Sequence, residues 1–257
     1  PSWELLFYRG LIPFVLLFIF LLLYYKKNFL HSLLITGLPG LFYAILVALG
    51  NITFVISIQN TNVANTLIMI ALTPFTTAIL SSIFLKEHPS QRMWFTIISC
   101  FFVVLFIFYD SYQGNRMFGD FFGLLTAILI GGSAVVVRYS KLVNFLPSLL
   151  IAKLLTFVIP ILFIQSFPES LIIDLREFYL IIAMSICLFI ALSFITLAPR
   201  YIPAYEVEIF FVLETILGPL WVWLIIYEQP TTKTIIGGTC IILIIMSHTL
   251  SELRKRN

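Results

Sequence analysis

Runs of about 20 apolar residues follow one another along nearly the whole chain, each long enough to cross a hydrocarbon core of roughly 30 Å. No soluble fold has room to hide them. Of the 257 residues, 61% are hydrophobic and 11% charged, where soluble domains carry about 25% charge. The mean hydropathy of +1.08 agrees. Such a chain is expected to be an all-α integral membrane protein, because in lipid the backbone N–H and C=O groups have to be satisfied within each segment. Nine spans are expected, at roughly 3–25, 34–59, 63–85, 93–110, 119–140, 147–167, 178–198, 204–227 and 234–251. Pro13, Pro39, Pro74, Pro160 and Pro219 are expected within them, with neighbouring helices satisfying the freed carbonyls.

The connections are short and carry turn formers such as Lys26-Lys27-Asn28 and Asn60-Thr61-Asn62. With the first span running inward, the cytoplasmic segments hold ten Lys or Arg and the outer loops three, Arg116, Arg176 and Lys233. The positive-inside rule then places the C-terminus in the cytoplasm. The basic residues form no face interleaved with aromatics, so no nucleic-acid partner is expected. Cys100, Cys187 and Cys240 lie in separate apolar runs and read as small core residues. His31, His88 and His248 make no ligand set with Cys, Asp or Glu, so no metal is expected. No phosphate-cradling Gly-x4-Gly-Lys loop occurs, which excludes a nucleotide-driven pump of that type, and no cofactor is expected.

The chain also repeats itself. Glu87-His88-Pro89-Ser90-Gln91-Arg92 recurs 141 positions later as Glu228-Gln229-Pro230-Thr231-Thr232-Lys233, between apolar runs both times. Leu5 to Arg9 aligns with Leu149 to Lys153, placing a cation early in a span in each copy. The span at 147 has a helix before it, at 119–140, and the span at 3 has none. The reading therefore expects an opening helix of about 20–30 residues ahead of Pro1, giving two five-helix units. Residues 1–112 form the first unit, lacking that helix, and residues 113–257 the second. An odd number of spans per unit inverts the second copy, as in many secondary transporters.

Trp3-Glu4-Leu5-Leu6-Phe7-Tyr8-Arg9 resembles the start of the second helix of EamA-type carriers in the drug/metabolite transporter superfamily. Leu72-Thr73-Pro74-Phe75-Thr76-Thr77-Ala78 with Leu85-Lys86-Glu87 is similar to that family's fourth helix. Leu213 to Trp221, followed by Tyr227-Glu228, is similar to its ninth. The resemblance implies a ten-helix carrier with both ends cytoplasmic and a central cavity lined by the first, fourth and ninth helices. It says little about the substrate.

An ionisable group at the bilayer centre costs about 2.5–3.5 kcal/mol on insertion scales and calls for a reason. Glu214, about ten residues into the 204–227 span, reads either as a cavity carboxylate for a cationic group or proton, or as a buried acid bonded to a neighbouring helix. Glu206 and Glu208 lie in the first turn of that span, where the helix dipole favours acids, and Glu206 shares a stripe with Phe210 and Glu214. Asn51, midway along 34–59, and Asn65, nearer the outer end of 63–85, are amides that seek a partner across helices or on a ligand. Glu214, Glu206, Asn51 and Asn65 are the candidate substrate contacts. Arg9 and Lys153 are expected on opposite sides of the membrane, attracting anions at the two mouths or snorkelling to the interface. Ser90 and Thr231 read as N-caps of the following helices.

The expected function is a secondary carrier of a small polar metabolite, an amino acid or related cationic or zwitterionic solute. It would work by alternating access without ATP hydrolysis. The alternatives are an integral membrane enzyme acting on a lipid-borne group and a non-transporting subunit that kept the fold. The expected partners are the small-molecule substrate and the lipid bilayer; homo-oligomerisation stays open. Abundant Ile, Phe, Lys and Asn point to an AT-rich bacterial genome and hence an inner membrane.

Overall fold

The computed structural model describes residues 2–61, 63–87, 89–108, 117–162 and 175–209, together with 217, 236, 239–240, 243–244 and 246–247. Its regular elements are all helical: α1 (Ser2–Tyr25), a 3₁₀ turn (Lys26–Asn28), α2 (Phe29–Ile35), α3 (Gly37–Asn60), α4 (Val63–Ala71), α5 (Thr73–Phe84), α6 (Gln91–Phe108), α7 (Met117–Tyr139), α8 (Leu146–Ile161), α9 (Leu175–Leu197), a second 3₁₀ turn (Ala198–Arg200) and α10 (Ala204–Ile209). Leu6–Ile35, Gly37–Asn60, Phe118–Tyr139 and Phe178–Arg200 are long and apolar enough to cross a membrane, and Met69–Phe84, Gln91–Val103 and Leu146–Ile161 are shorter apolar helices. Large apolar side chains face outward along them; Leu34 and Leu38 are each 78% exposed. Lipid tolerates that surface and water does not.

Two expected spans are each broken into two helices. The run 34–59 divides at Gly37, whose φ of +57° is the left-handed conformation a Cβ disfavours. The run 63–85 divides at Leu72, just ahead of Pro74 in the first turn of α5, where its missing N–H costs nothing. Pro39 and Pro74 therefore open helices, and among the described residues Pro13 and Pro160 lie inside them, while Pro219 lies outside the described residues. The Thr73 hydroxyl donates to the Ile70 carbonyl at this break. At α6, Ser90 is the N-cap its sequence predicts, its Oγ accepting from the Met93 N–H at 3.2 Å.

The helices gather into two compact units, residues 1–56 with 132–203 and residues 57–131 with 204–257. In the first, α1 and α8 run antiparallel: Tyr25 OH accepts from Asn144 Nδ2 at 2.9 Å, Leu17 and Leu21 pack with Leu149 and Leu150, and Phe7 meets Phe157 near the other end. They cross at Gly10, where a Cβ would stand 2.6 Å from the backbone nitrogen of Phe157. Asn144 Oδ1 also accepts from the Leu146 N–H at 3.1 Å, holding the start of α8. Tyr43 on α3 and Thr196 on α9 share a buried hydroxyl–hydroxyl bond of 2.7 Å.

In the second unit, α4 and α5 carry Thr66, Thr73, Thr77 and Ser81, all fully buried and spaced by seven and four residues along one face. Met93 and Ile97 of α6 and Tyr205 of α10 pack around Ala78 of α5. Cys100 is buried, while Cys187 and Cys240 lie on exposed faces rather than in the core.

Candidate functional site

Lys153 is the eighth of the sixteen residues of α8 and is fully buried. From mid-helix its side chain is too deep to reach the interface, so it turns inward. Its Nζ points at Asn51 Oδ1 on α3, 3.5 Å away, a long hydrogen bond that orients the ammonium more than it stabilises it. Asn51 is fixed in turn, because its Nδ2 donates to the Val47 carbonyl one turn back at 2.8 Å. That bond occupies the amide's donor side and leaves its oxygen facing the lysine.

A second cation stands beside the first. Arg9 of α1 lies with its Cζ 4.5 Å from the centre of the Phe54 ring, a cation–π contact worth about 2 kcal/mol when desolvated. Phe54 follows Asn51 by three residues, so both groups project from one face of α3. Arg9 precedes Gly10, which crosses α8 against Phe157, one turn beyond Lys153. In the first unit Lys153 is fully buried and faces an amide, and the half-buried Arg9 counts an aromatic ring among its contacts. The α3 and α8 segments contain no acid in their sequences, and α1 contains only Glu4, in its first turn. Among the described residues, Lys153 meets no carboxylate.

These positions differ from the sequence expectation for Arg9 and Lys153. They do not sit at opposite mouths, and Lys153 does not snorkel. Antiparallel packing of α1 and α8 brings the two repeat mates to neighbouring levels on either side of the Gly10 crossing. Aromatic side chains pack between α1 and α8: Phe157 lies 5.2 Å from Phe14 and 6.2 Å from Phe7, centre to centre.

Of the four expected contacts, Asn51 joins this cluster. Glu206, half-buried in the first turn of α10, belongs to the second unit. Asn65 has its backbone in α4, but its side chain lies outside the described residues, as does the whole of Glu214. Arg200 donates from Nε to the Lys141 carbonyl at 2.7 Å. Sequence reasoning missed Phe54 and underweighted Lys153. The signal for Lys153 was present: it is the only charge between Lys141 and Glu169.

The second unit handles its polar groups differently. Ser57 Oγ bonds to Thr66 Oγ1 and donates to the Gly119 carbonyl, both at 2.8 Å. Thr61 Oγ1 donates to Asp120 Oδ1 at 2.8 Å. Thr76 Oγ1 reaches the Thr73 and Ala127 carbonyls at 3.0 and 3.1 Å. These are short hydroxyls bonded across or along helices, the usual glue of membrane bundles.

Residues 1–109 match the EamA-like transporter family. Along 99% of its length the chain is 22% identical to the pseudopaline exporter CntI of Pseudomonas aeruginosa, in each of two strains, covering 88% of that protein. A solved crystal structure, 15% identical, superposes with a TM-score of 0.75 over 97% of this chain and 88% of its own, which establishes the likeness of fold. The apolar helices are those of a multi-pass membrane protein, and both the family match and the curated relatives are transporters.

Proposed function

We propose that this chain, whose residues 1–109 are an EamA-like transporter domain, is a secondary carrier that moves a small polar metabolite across the bacterial inner membrane by alternating access. The observation that carries the reading is the fully buried Lys153 at the middle of α8, facing Asn51. Charge held in the middle of apolar helices is expensive, and it is commonly kept where it meets a substrate or an ion. Export of pseudopaline by the relatives supports a solute of metabolite size. On this reading Asn51, Asn65, Glu206 and Glu214 are substrate contacts, residues 1–112 and 113–257 are inverted repeats, and the C-terminus is cytoplasmic.

Counterflow in proteoliposomes tests the carrier. The full-length protein, preloaded with unlabelled solute, should exchange at least one class among radiolabelled amino acids, polyamines, nucleosides and sulfonium metabolites. Silence across the whole panel overturns the reading. Glu214→Gln should abolish accumulation with folding intact; unchanged transport removes Glu214 from the mechanism. Single cysteines in the Glu87 and Glu228 turns should be labelled from opposite faces of the membrane. Labelling from the same face would rule out the inverted repeat.

A further inference from the structure

We propose that one end of the first unit is a binding surface for an anionic phospholipid, with Lys26, Lys27 and Lys141 attracting the phosphate and the apolar side chains beside them meeting the acyl chains. The proposal stands apart from the carrier reading. Two bonds draw the turns of the chain together at that end. Tyr25, the last residue of α1, accepts from Asn144 through its hydroxyl at 2.9 Å, and Arg200 donates from Nε to the Lys141 carbonyl at 2.7 Å. The Lys26–Asn28 turn, the end of α7 and the Ala198–Arg200 turn therefore meet, and each brings cations. Lys26, Lys27 and Lys141 are exposed, and Arg138 and Arg200 are half-buried. Among the described residues, no carboxylate pairs with the three lysines. The acids of this unit stand elsewhere in the chain: Glu4 opens α1, Glu177 opens α9, and Glu169 and Asp174 follow the end of α8. All four are next in sequence to the far ends of these helices.

The neighbours of those lysines select the occupant. Leu142 follows Lys141 in the turn between α7 and α8 and is 97% exposed. Leu23 and Leu30, on either side of Lys26 and Lys27, are exposed as well. So are Tyr24, Tyr139 and Tyr201. Open leucines beside ammonium groups fit a ligand that is anionic at its head and apolar below, and tyrosine is the residue that settles at the boundary between the two. A free phosphate would use the lysines and leave the leucines in water. Lysine meets a phosphate as a point charge on a flexible stem, so side chains from neighbouring turns can converge on one headgroup without a fixed fork. The expected orientation, with these cations inward, puts the surface on the cytoplasmic leaflet, whose anionic lipids attract basic segments.

The test is thermal stabilisation of the full-length protein in a neutral detergent, titrated with phosphatidylglycerol and, separately, with phosphatidylcholine of the same acyl chains. Phosphatidylglycerol should act at concentrations at least fivefold lower, and raising NaCl from about 50 to 500 mM should remove most of that preference. Replacing Lys26, Lys27 and Lys141 together by Gln should weaken phosphatidylglycerol binding at least fivefold, whereas replacing all three by Arg should hold it within twofold. Lys141→Glu, a single exposed change, carries the same test if the triple variant does not stay monodisperse, and should weaken binding at least threefold. Leu142→Asn should weaken it at least twofold. Equal stabilisation by the two lipids overturns the inference, as does a triple Gln or Lys141→Glu variant that binds like the wild type. Displacement of phosphatidylglycerol by sn-glycerol 3-phosphate or inorganic phosphate at comparable concentration would assign the lysines to a soluble anion and overturn it too.

Discussion

The two compact units solve the problem of polar atoms in lipid in opposite ways. The unit built on α4, α5 and α7 uses short hydroxyls that bond to one another or to carbonyls, as Ser57 does with Thr66 and Gly119. Its acid Asp120 accepts from Thr61 beside the start of α7. The unit built on α1, α3 and α8 instead buries a lysine at mid-helix and gives it an amide to face. Hydroxyl pairs hold helices together at little cost. Among the described residues Lys153 faces an amide and no acid, a contact of little cohesion, and that is the ground for proposing a functional role for it.

Four substitutions sharpen or break that contrast. The largest effect belongs to Gly10→Leu: with the Phe157 backbone 2.6 Å from the built Cβ position, α1 and α8 must separate. We expect a loss above about 3 kcal/mol, the upper end of overpacking costs, seen as collapse of the monodisperse peak in size exclusion. A folded, active Gly10→Leu would mean the crossing is looser than described. Lys153→Met should act in the other direction, raising thermal stability by about 1–3 kcal/mol as the burial cost disappears while transport is lost. A fall in stability would assign the lysine to architecture and erase the contrast. Ser57→Ala removes two bonds from the hydroxyl network and should cost about 1–2 kcal/mol of stability, with substrate affinity unchanged. Smallest is Thr77→Val. Its hydroxyl is buried and has no hydrogen-bond partner among the described residues, so stability should change by less than about 0.5 kcal/mol or rise slightly.

Helix positions were legible because hydrophobic length is a property of composition alone. The expected span 3–25 became Ser2–Tyr25, 93–110 became Gln91–Phe108, and 119–140 became Met117–Tyr139. The breaks at Gly37 and Leu72 were not legible, since an apolar run reads the same whether the backbone turns within it or continues. Pro39 and Pro74 were the available clues; each belongs to the first turn of a new helix rather than the middle of an old one. For the site, Asn51 was identified from its depth. Lys153 was discounted because the repeat paired it with Arg9, and symmetry argued for an architectural role. The three-dimensional packing turned that pairing into proximity, which no linear alignment of inverted copies displays. Spacing likewise could not link Phe54 to Arg9, because their contact joins different helices.

Residues 29–60 are nearly all apolar, and only the backbone at Gly37 stops α2 and α3 from merging. A single straight helix over those 32 residues would reach about 48 Å, far beyond a hydrocarbon layer of roughly 30 Å. The protein would then have to tilt steeply or thicken the bilayer around it. One hydrogen in place of a methyl group at Gly37 thus lets a segment too long for the membrane lie within it.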